Sequence, residues 1–242
     1  MKQKTDYGID APNVIRNLLL TGMLCLATSI AIFCFSNISN LIWLILTGWV
    51  FIVGISLIIT AIIMILSSKF GKIKERERIL DMLNMKGGEY ILDVGCGKGL
   101  YLIGAAKRLI NGKAVGIDIW QSDDLSGNRM ENTIQNAKSE GVIDKVCIKT
   151  SDMRKMPFEN SSFDMVLSSF AIHNIYDKLE RKKALLEITR VLKPGGKLCI
   201  IDFQHIDEYM SVFEKNGITG INRFKTKLIF PPATVITGVK VK

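Results

Sequence analysis

The chain has 242 residues, 48% of them hydrophobic, with a formal net charge of +9 and a mean hydropathy of +0.24. That apolar fraction excludes a disordered chain, and a positive mean hydropathy is unusual for a protein that lives wholly in water. The length suits one domain, or one domain with an appendage.

Residues 1–16 are short and polar and carry Lys2, Lys4 and Arg16. Residues 17–68 contain no Asp, Glu, Lys or Arg. Two uncharged runs fill this zone, 18–35 and 41–66, with the turn formers Ser36-Asn37-Ile38-Ser39-Asn40 between them. As helices they reach roughly 27 Å and roughly 39 Å at 1.5 Å per residue. Both lengths suit a bilayer core of about 30 Å. A transmembrane hairpin over 17–68 is therefore predicted. The start is not read as a cleaved signal, because a second apolar run follows at once. Lys69, Lys72, Lys74, Arg76 and Arg78 follow the second run. Basic flanks on both sides place both termini in the cytoplasm and the domain at the cell membrane's inner face. Basic residues beside an apolar zone fit an anionic lipid surface better than a nucleic acid, so no nucleic-acid partner is expected. Gly22, Thr28, Gly48, Gly54 and Ser56 are small enough to let the helices approach. Trp43 fits an interfacial anchor, and Trp49 is expected to pack against the first helix.

Residues 69–88 read as a basic amphipathic linker helix with Phe70, Ile73, Ile79, Leu80 and Leu83 on its apolar face. From residue 89 to residue 242 the pattern changes to short β-branched runs alternating with helical stretches. Strands are predicted over 90–94, 114–119, 145–149, 163–168 and 197–202. Helices are predicted over 99–109, 128–140, 178–192 and 206–216. This alternation gives an α/β fold with a parallel sheet covered on both faces. Two further β-like runs, 218–224 and 233–241, have no helix between them and predict an antiparallel edge pair. Five cysteines, Cys25, Cys34, Cys96, Cys147 and Cys199, form no C-x-x-C pair. They read as reduced thiols, and the chain has no His/Asp/Glu cluster with metal-ligand spacing, so no metal is expected.

The first strand runs into Asp93-Val94-Gly95-Cys96-Gly97-Lys98-Gly99. Glycines after a strand let the backbone turn tightly and let a ligand approach its N–H groups. A dinucleotide loop has its third glycine one residue later. Asp93 is also ill placed beside a pyrophosphate and suits a cationic group such as an ammonium. Asp118 ends the second strand, where a carboxylate can accept two ribose hydroxyls, and Ile119 follows to cover an adenine. His173 and His205 lie just after the fourth and fifth strands, the ends at which open α/β sheets bind ligands. They are the candidate proton acceptors, with Asn174 and Asp202 as lesser candidates and Asp202 a possible orienter of His205. The fourth strand has no Asn/Asp-Pro-Pro-aromatic sequence after it.

The Asp-x-Gly-x-Gly-x-Gly loop, Met156-Pro157-Phe158, Phe163-Asp164 and Arg190-Val191-Leu192-Lys193-Pro194-Gly195-Gly196 occur in order. Together they resemble the class I S-adenosylmethionine-dependent methyltransferases, in particular the type 11-like subgroup acting on small molecules and quinones. Membrane-anchored bacterial and archaeal members are also similar at Asp6-Tyr7-Gly8-Ile9-Asp10-Ala11-Pro12, Ile119-Trp120-Gln121, Asp124-Leu125-Ser126-Gly127-Asn128 and Ala171-Ile172-His173-Asn174-Ile175. The resemblance implies a Rossmann-like sheet and S-adenosyl-L-methionine as cofactor. It implies that Asp93 and the backbone of Gly95 and Gly97 hold the methionine portion. It further implies that Asp152 takes the adenine amino group while Met153 packs on the ring. Cys96, Gly99 and Ser169 complete the expected cofactor contacts. The Pro194-Gly195-Gly196 turn is expected to end a helix and lead into the fifth strand. The leading functional reading is a membrane-anchored methyltransferase with a lipophilic small-molecule acceptor: a quinol, phenol, thiol or aminolipid. A membrane scaffold that binds the cofactor without turnover stays open, as does an RNA or protein methyltransferase.

Overall fold

The computed structural model describes residues 5–35, 41–121 and 125–241. Lys2, Lys4, the connection 36–40 and Asp124 lie outside these. Among the described residues the chain begins with a short extended segment. It continues as α1 (Pro12–Phe35) and α2 (Leu41–Leu66). The two helices touch through backbone at glycine: a Cβ on Gly22 would sit 2.9 Å from the Gly54 oxygen, and one on Gly54 3.0 Å from the Gly22 oxygen. Nearer the far end, buried Ser29 donates its Oγ to the Thr47 carbonyl at 2.8 Å. Ser29 and Thr47 were not expected there. Of the small residues predicted to mediate packing, Gly22 and Gly54 do so; Thr28 and Ser56 are exposed and Gly48 faces open space. Trp49 is 63% exposed, so it points away from the first helix rather than against it.

A π-helical turn, Ser67–Gly71, joins α2 to α3 (Lys72–Met82) without a break. The predicted linker helix forms, but its environment differs from the expectation. Ile79, Leu80 and Leu83 enter the core as predicted, while Phe70 stays exposed. The basic Lys72 and Arg76 are buried with Glu75 against the domain instead of facing lipid.

The seven predicted strands form one sheet: β1 (Tyr90–Val94), β2 (Lys113–Asp118), β3 (Val146–Thr150), β4 (Phe163–Ser169), β5 (Leu192–Asp202), β6 (Ile218–Lys225) and β7 (Thr234–Lys240). Their order is β3-β2-β1-β4-β5-β7-β6. β1 to β5 are parallel, and β7 runs antiparallel to both β5 and β6. The expected antiparallel pair is present, with β7 inside the sheet and β6 at its edge. The helices α4 (Leu100–Ala106), α5 (Met130–Ser139), α6 (Lys178–Val191) and α7 (Ile206–Lys215) complete the layers. α3, α4 and α5 pack on one face, where Leu80, Ile103 and Ala137 share a core with Ile91. α6 and α7 cover the other, where Ile188 and Phe213 meet Leu92 and Val94. This is the Rossmann-like arrangement expected from the strand–helix alternation. The Pro194-Gly195-Gly196 turn lies inside β5 as a bulge, not between α6 and the strand. Five residue steps on β5, from Leu192 to Lys197, oppose two on β4, from Phe163 to Met165.

Candidate functional site

A cavity of about 650 Å3 opens at the carboxyl ends of β1, β2, β4 and β5. It lies within the usual size range of small-molecule sites. Gly95 and Cys96 turn the chain out of β1, and both their N–H groups donate to the Ile117 carbonyl, at 2.8 and 3.0 Å. Gly95 has φ +70°, and a Cβ there would fall 2.2 Å from the Ala171 Cβ. Only glycine fits that close approach. Gly97 also has positive φ and lines the cavity. Gly99 does not line it; its place under Ile103 and Thr133 gives it a packing role instead. Cys96 lines the cavity and is buried. Burial holds its thiol well above the usual pKa range, so it is an inert side chain.

Asp93 is 1% exposed and lines the cavity, and its Oδ2 has no protein partner. Desolvation, with a smaller contribution from the nearby Asp118 charge, pushes its pKa up to about 7. Among the described residues, three more buried side-chain atoms of cavity-lining residues lack hydrogen-bond partners: the Tyr101 hydroxyl, Asn128 Oδ1 and His173 Nδ1. Buried polar atoms in native proteins are nearly always satisfied, so four such atoms on residues around one cavity point to a polar ligand. Tyr101 belongs to no motif read from the sequence, and Asn128 ends the Asp124-Leu125-Ser126-Gly127-Asn128 stretch, which carried no site role there. Asp118 is held rigidly: its Oδ2 accepts from Gly97 N at 2.8 Å, and its Oδ1 from Trp120 N at 2.7 Å and Asn128 Nδ2 at 3.3 Å. The carboxylate thus ties the glycine loop to β2 and keeps lone pairs for hydroxyl donors. Ile119, Met153 and Ser169 line the cavity as expected. Asp152 lines it too, paired with Arg154, whose hydrogen bonds hold its carboxyl below the usual value.

His173 sits in a short 3-10 turn after β4 and lines the cavity. Its Nδ1 lies 2.8 Å from Asp202 Oδ1, close in charge terms but off the line of an ideal ring N–H bond. Its backbone N–H donates to Asp202 Oδ2 at 3.2 Å, and its ring packs against Phe203 at 4.4 Å. Asp202 is itself buried and also accepts from the Tyr209 hydroxyl at 3.2 Å. His205 begins α7 with φ +57°, is exposed and does not line the cavity. Asp202 therefore meets His173 and not His205, contrary to the sequence expectation.

The N-terminal segment closes one side. Lys72 Nζ donates to the carbonyls of Tyr7 at 3.0 Å and Gly8 at 2.8 Å, and to Asp10 Oδ1 at 2.9 Å. Lys98 Nζ reaches Asp6 at 2.5 Å, and Asn136 brackets the Asp6 backbone from both sides. Tyr7, Asp10 and Val14 line the cavity, as do Met64 and Ser68 at the base of α2 and Ile229 and Phe230 between β6 and β7.

Residues 92–200 match the family model described as methyltransferase domain. That stretch, from β1 to β5, is similar to methyltransferase domains, and solved structures similar in fold, a geranyl diphosphate methyltransferase among them, hold S-adenosylmethionine or S-adenosylhomocysteine. A demethylmenaquinone methyltransferase of Lactiplantibacillus plantarum is 29% identical over 134 residues, covering 55% of this chain and 53% of that protein. A chloroplastic 2-phytyl-1,4-beta-naphthoquinone methyltransferase of Arabidopsis thaliana is 31% identical over 151 residues, covering 62% of this chain and 53% of that one. The chain thus spans about half the length of the curated relatives it matches. Among solved structures, a SAM-dependent methyltransferase from Aquifex aeolicus superposes with a TM-score of 0.53 at 23% identity, covering 69% of this chain and 89% of that one. The superposition concerns the fold.

The residues present fit the cofactor. The unpartnered Asp93 oxygen suits an ammonium, the Gly95 and Gly97 cradle leaves room for a backbone approach, and Asp118 faces the same cavity with acceptor capacity to spare.

Proposed function

We propose that the chain is a membrane-anchored methyltransferase that methylates a lipophilic small molecule at the cytoplasmic face of the cell membrane. One observation carries this reading: a single cavity joins the glycine loop and Asp93 to Val14 and Met64 at the base of an apolar two-helix hairpin. Both helices are long and apolar enough to cross a bilayer, and most of their apolar side chains face outward. On this reading residues 1–16 and 69–242 are cytoplasmic. Residues 17–68 are the anchor, 69–88 the linker and 89–242 the catalytic unit.

Bound S-adenosylmethionine supplies an electrophilic methyl on a sulfonium sulfur. Asp93 holds the ammonium, Gly95 and Gly97 admit the methionine portion, Asp118 takes the ribose hydroxyls, and Ile119, Asp152 and Met153 frame the adenine. Gly95, Cys96 and Ser169 complete the wall. His173 would take the proton of an acceptor hydroxyl whose oxygen bonds the methyl carbon, the carbon–sulfur bond breaking with its electron pair left on sulfur, while Asp202 orients the ring and supports the imidazolium. Positioned bases of this kind contribute roughly 10²- to 10⁴-fold.

The test is incubation of the full-length protein in detergent with methyl-labelled S-adenosylmethionine and the lipid extract, RNA and protein fractions of its host. Label in the lipid fraction is expected. Label in RNA or protein instead, or in nothing despite cofactor binding, sinks the reading. His173→Ala should keep cofactor affinity and lose at least about 100-fold in kcat; unchanged turnover removes the base assignment.

A further inference from the structure

The two ends of the cavity differ in chemistry. One end has Asp93, Asp118 and Asp152 within the matched methyltransferase segment. The other is built from elements outside that segment: Val14 in the first turn of α1, Met64 in the last turns of α2, and Ile229, Phe230 and Pro231 from the β6–β7 connection. Asp10, Ser68 and Lys72 also line this side, but they are paired with one another, which leaves apolar side chains for a ligand to meet.

The level of these residues relative to a bilayer follows from the nearest charges. Arg16 and Lys69 are the first charges flanking the uncharged zone and mark its cytoplasmic boundary. Val14 lies two residues before Arg16, about 3 Å to its cytoplasmic side, and Met64 lies five residues inside Lys69, about 7.5 Å to the apolar side. The cavity wall therefore straddles that boundary, with Met64 on its apolar side and Val14 just on its cytoplasmic side. Phe70, Leu228 and Phe230 expose apolar side chains beside Lys69 and Lys227, the composition of a segment seated in a lipid interface. Val14 and Phe230 are themselves partly exposed, at 49% and 39%, so the rim here is apolar.

The wall is preformed. Ile15, Ala61 and Met64 are buried together as one cluster. Phe230 N donates to Ser67 Oγ at 2.8 Å, and the Leu228 carbonyl presses on Gly71 so closely that a Cβ there would fall 2.0 Å from it. Further along the hairpin the Gly22–Gly54 backbone contact closes the space between the helices. A chain leaving the cavity must therefore pass beside the hairpin, under Val14, and not between its helices.

We propose that Val14, Met64, Ile229 and Phe230 form a subsite for the apolar chain of the acceptor, with the group to be methylated held at His173. The acceptor is then a single-chain amphiphile whose tail stays in the bilayer during reaction. The hairpin is a determinant of specificity as well as an anchor. This rests on the methyltransferase reading above.

The test is photo-crosslinking of the full-length protein in phosphatidylcholine–phosphatidylglycerol nanodiscs, with S-adenosylhomocysteine present. The probe is a farnesyl phenol carrying a diazirine on its chain, and adducts are mapped by mass spectrometry. Adducts are expected on Val14, Met64 or residues 229–231, falling tenfold or more in Met64→Trp and in Val14→Trp. The second variant, at a partly exposed site, guards against misfolding of the first, and cofactor binding reports the fold of each. Adducts confined to outward-facing positions such as Trp49 and Ile52, or undiminished in both variants, overturn the subsite. The labelled-methyl assay is read separately, so adducts at the subsite without methyl transfer would count against the enzyme reading alone.

Discussion

Asp93 is a carboxyl taken almost wholly out of water, with one oxygen unpartnered, and this sets a sign for its pH behaviour. Its pKa rises from an ordinary 3.8 to about 7 because burial disfavours the charge. Between those values the folded protein keeps a proton that the unfolded chain has lost. The unliganded protein is therefore expected to lose stability as pH rises through that window. An ammonium in the cavity reverses the preference, because it needs the carboxylate. Affinity for S-adenosylmethionine is predicted to fall about tenfold per pH unit below about pH 7 and to level off above it. Isothermal titration across that range checks this. Asp93→Asn should bind weakly with a flat profile, and a flat wild-type profile would contradict the assignment. The glycine loop and the acid at the end of β2 were legible in sequence because chain-local spacing creates them. The partner of Asp202 was not. His205 is three residues away but starts α7 in a left-handed conformation that turns it out. His173 is 29 residues away and arrives beside Asp202 because β4 and β5 are adjacent parallel strands.

At the scale of elements, the junction between α2 and α3 decides how the apolar hairpin meets the sheet domain. The π turn places Ser67 and Ser68 toward neighbouring segments: Ser67 Oγ accepts from Phe230 N, and Ser68 Oγ accepts from Asp10 N at 3.1 Å while donating to Asp10 Oδ2 at 3.0 Å. Gly71 admits the Leu228 carbonyl. Gly71→Ala must push that backbone away, and overpacking of this kind costs about 1–3 kcal/mol. A clear fall in thermal midpoint in detergent is expected, where Gly48→Ala, which faces open space, should change little. Equal midpoints for the two variants would mean that the contact is not tight. Strand positions were legible because β-branched runs alternate with helical stretches. The place of β7 between β5 and β6 was not, since it depends on pairing across the sheet. Nor was the burial of Lys72: a lysine among basic residues reads as a solvated or lipid-facing side chain. Only the folded N-terminal segment supplies the two carbonyls and the carboxylate that accept the hydrogen bonds of its ammonium.

For the whole molecule, the proposed topology makes a prediction from two exposed cysteines at opposite ends. Cys34 lies one residue from the far end of α1, and Cys147 lies on β3 of the sheet domain. With both termini cytoplasmic, a membrane-impermeant maleimide applied to intact cells should label Cys34 and spare Cys147. Permeabilised cells should label both. Labelling of Cys147 alone in intact cells would invert the orientation. One feature at the junction also governs how the molecule is turned about its long axis. α2, the π turn and α3 form one uninterrupted helical rod, so the number of residues in the turn sets the azimuth of the sheet domain against the hairpin. Each residue of an α-helix advances that angle by about 100°. Deleting one residue within Ser67–Gly71 would leave the rod continuous but swing Lys72 away from Tyr7, Gly8 and Asp10. Such a variant should still insert and still be helical by circular dichroism, yet lose cofactor binding. On the proposed topology the candidate site is indexed to the membrane by rotation as well as by depth, in the way a key is cut to enter a lock at one angle.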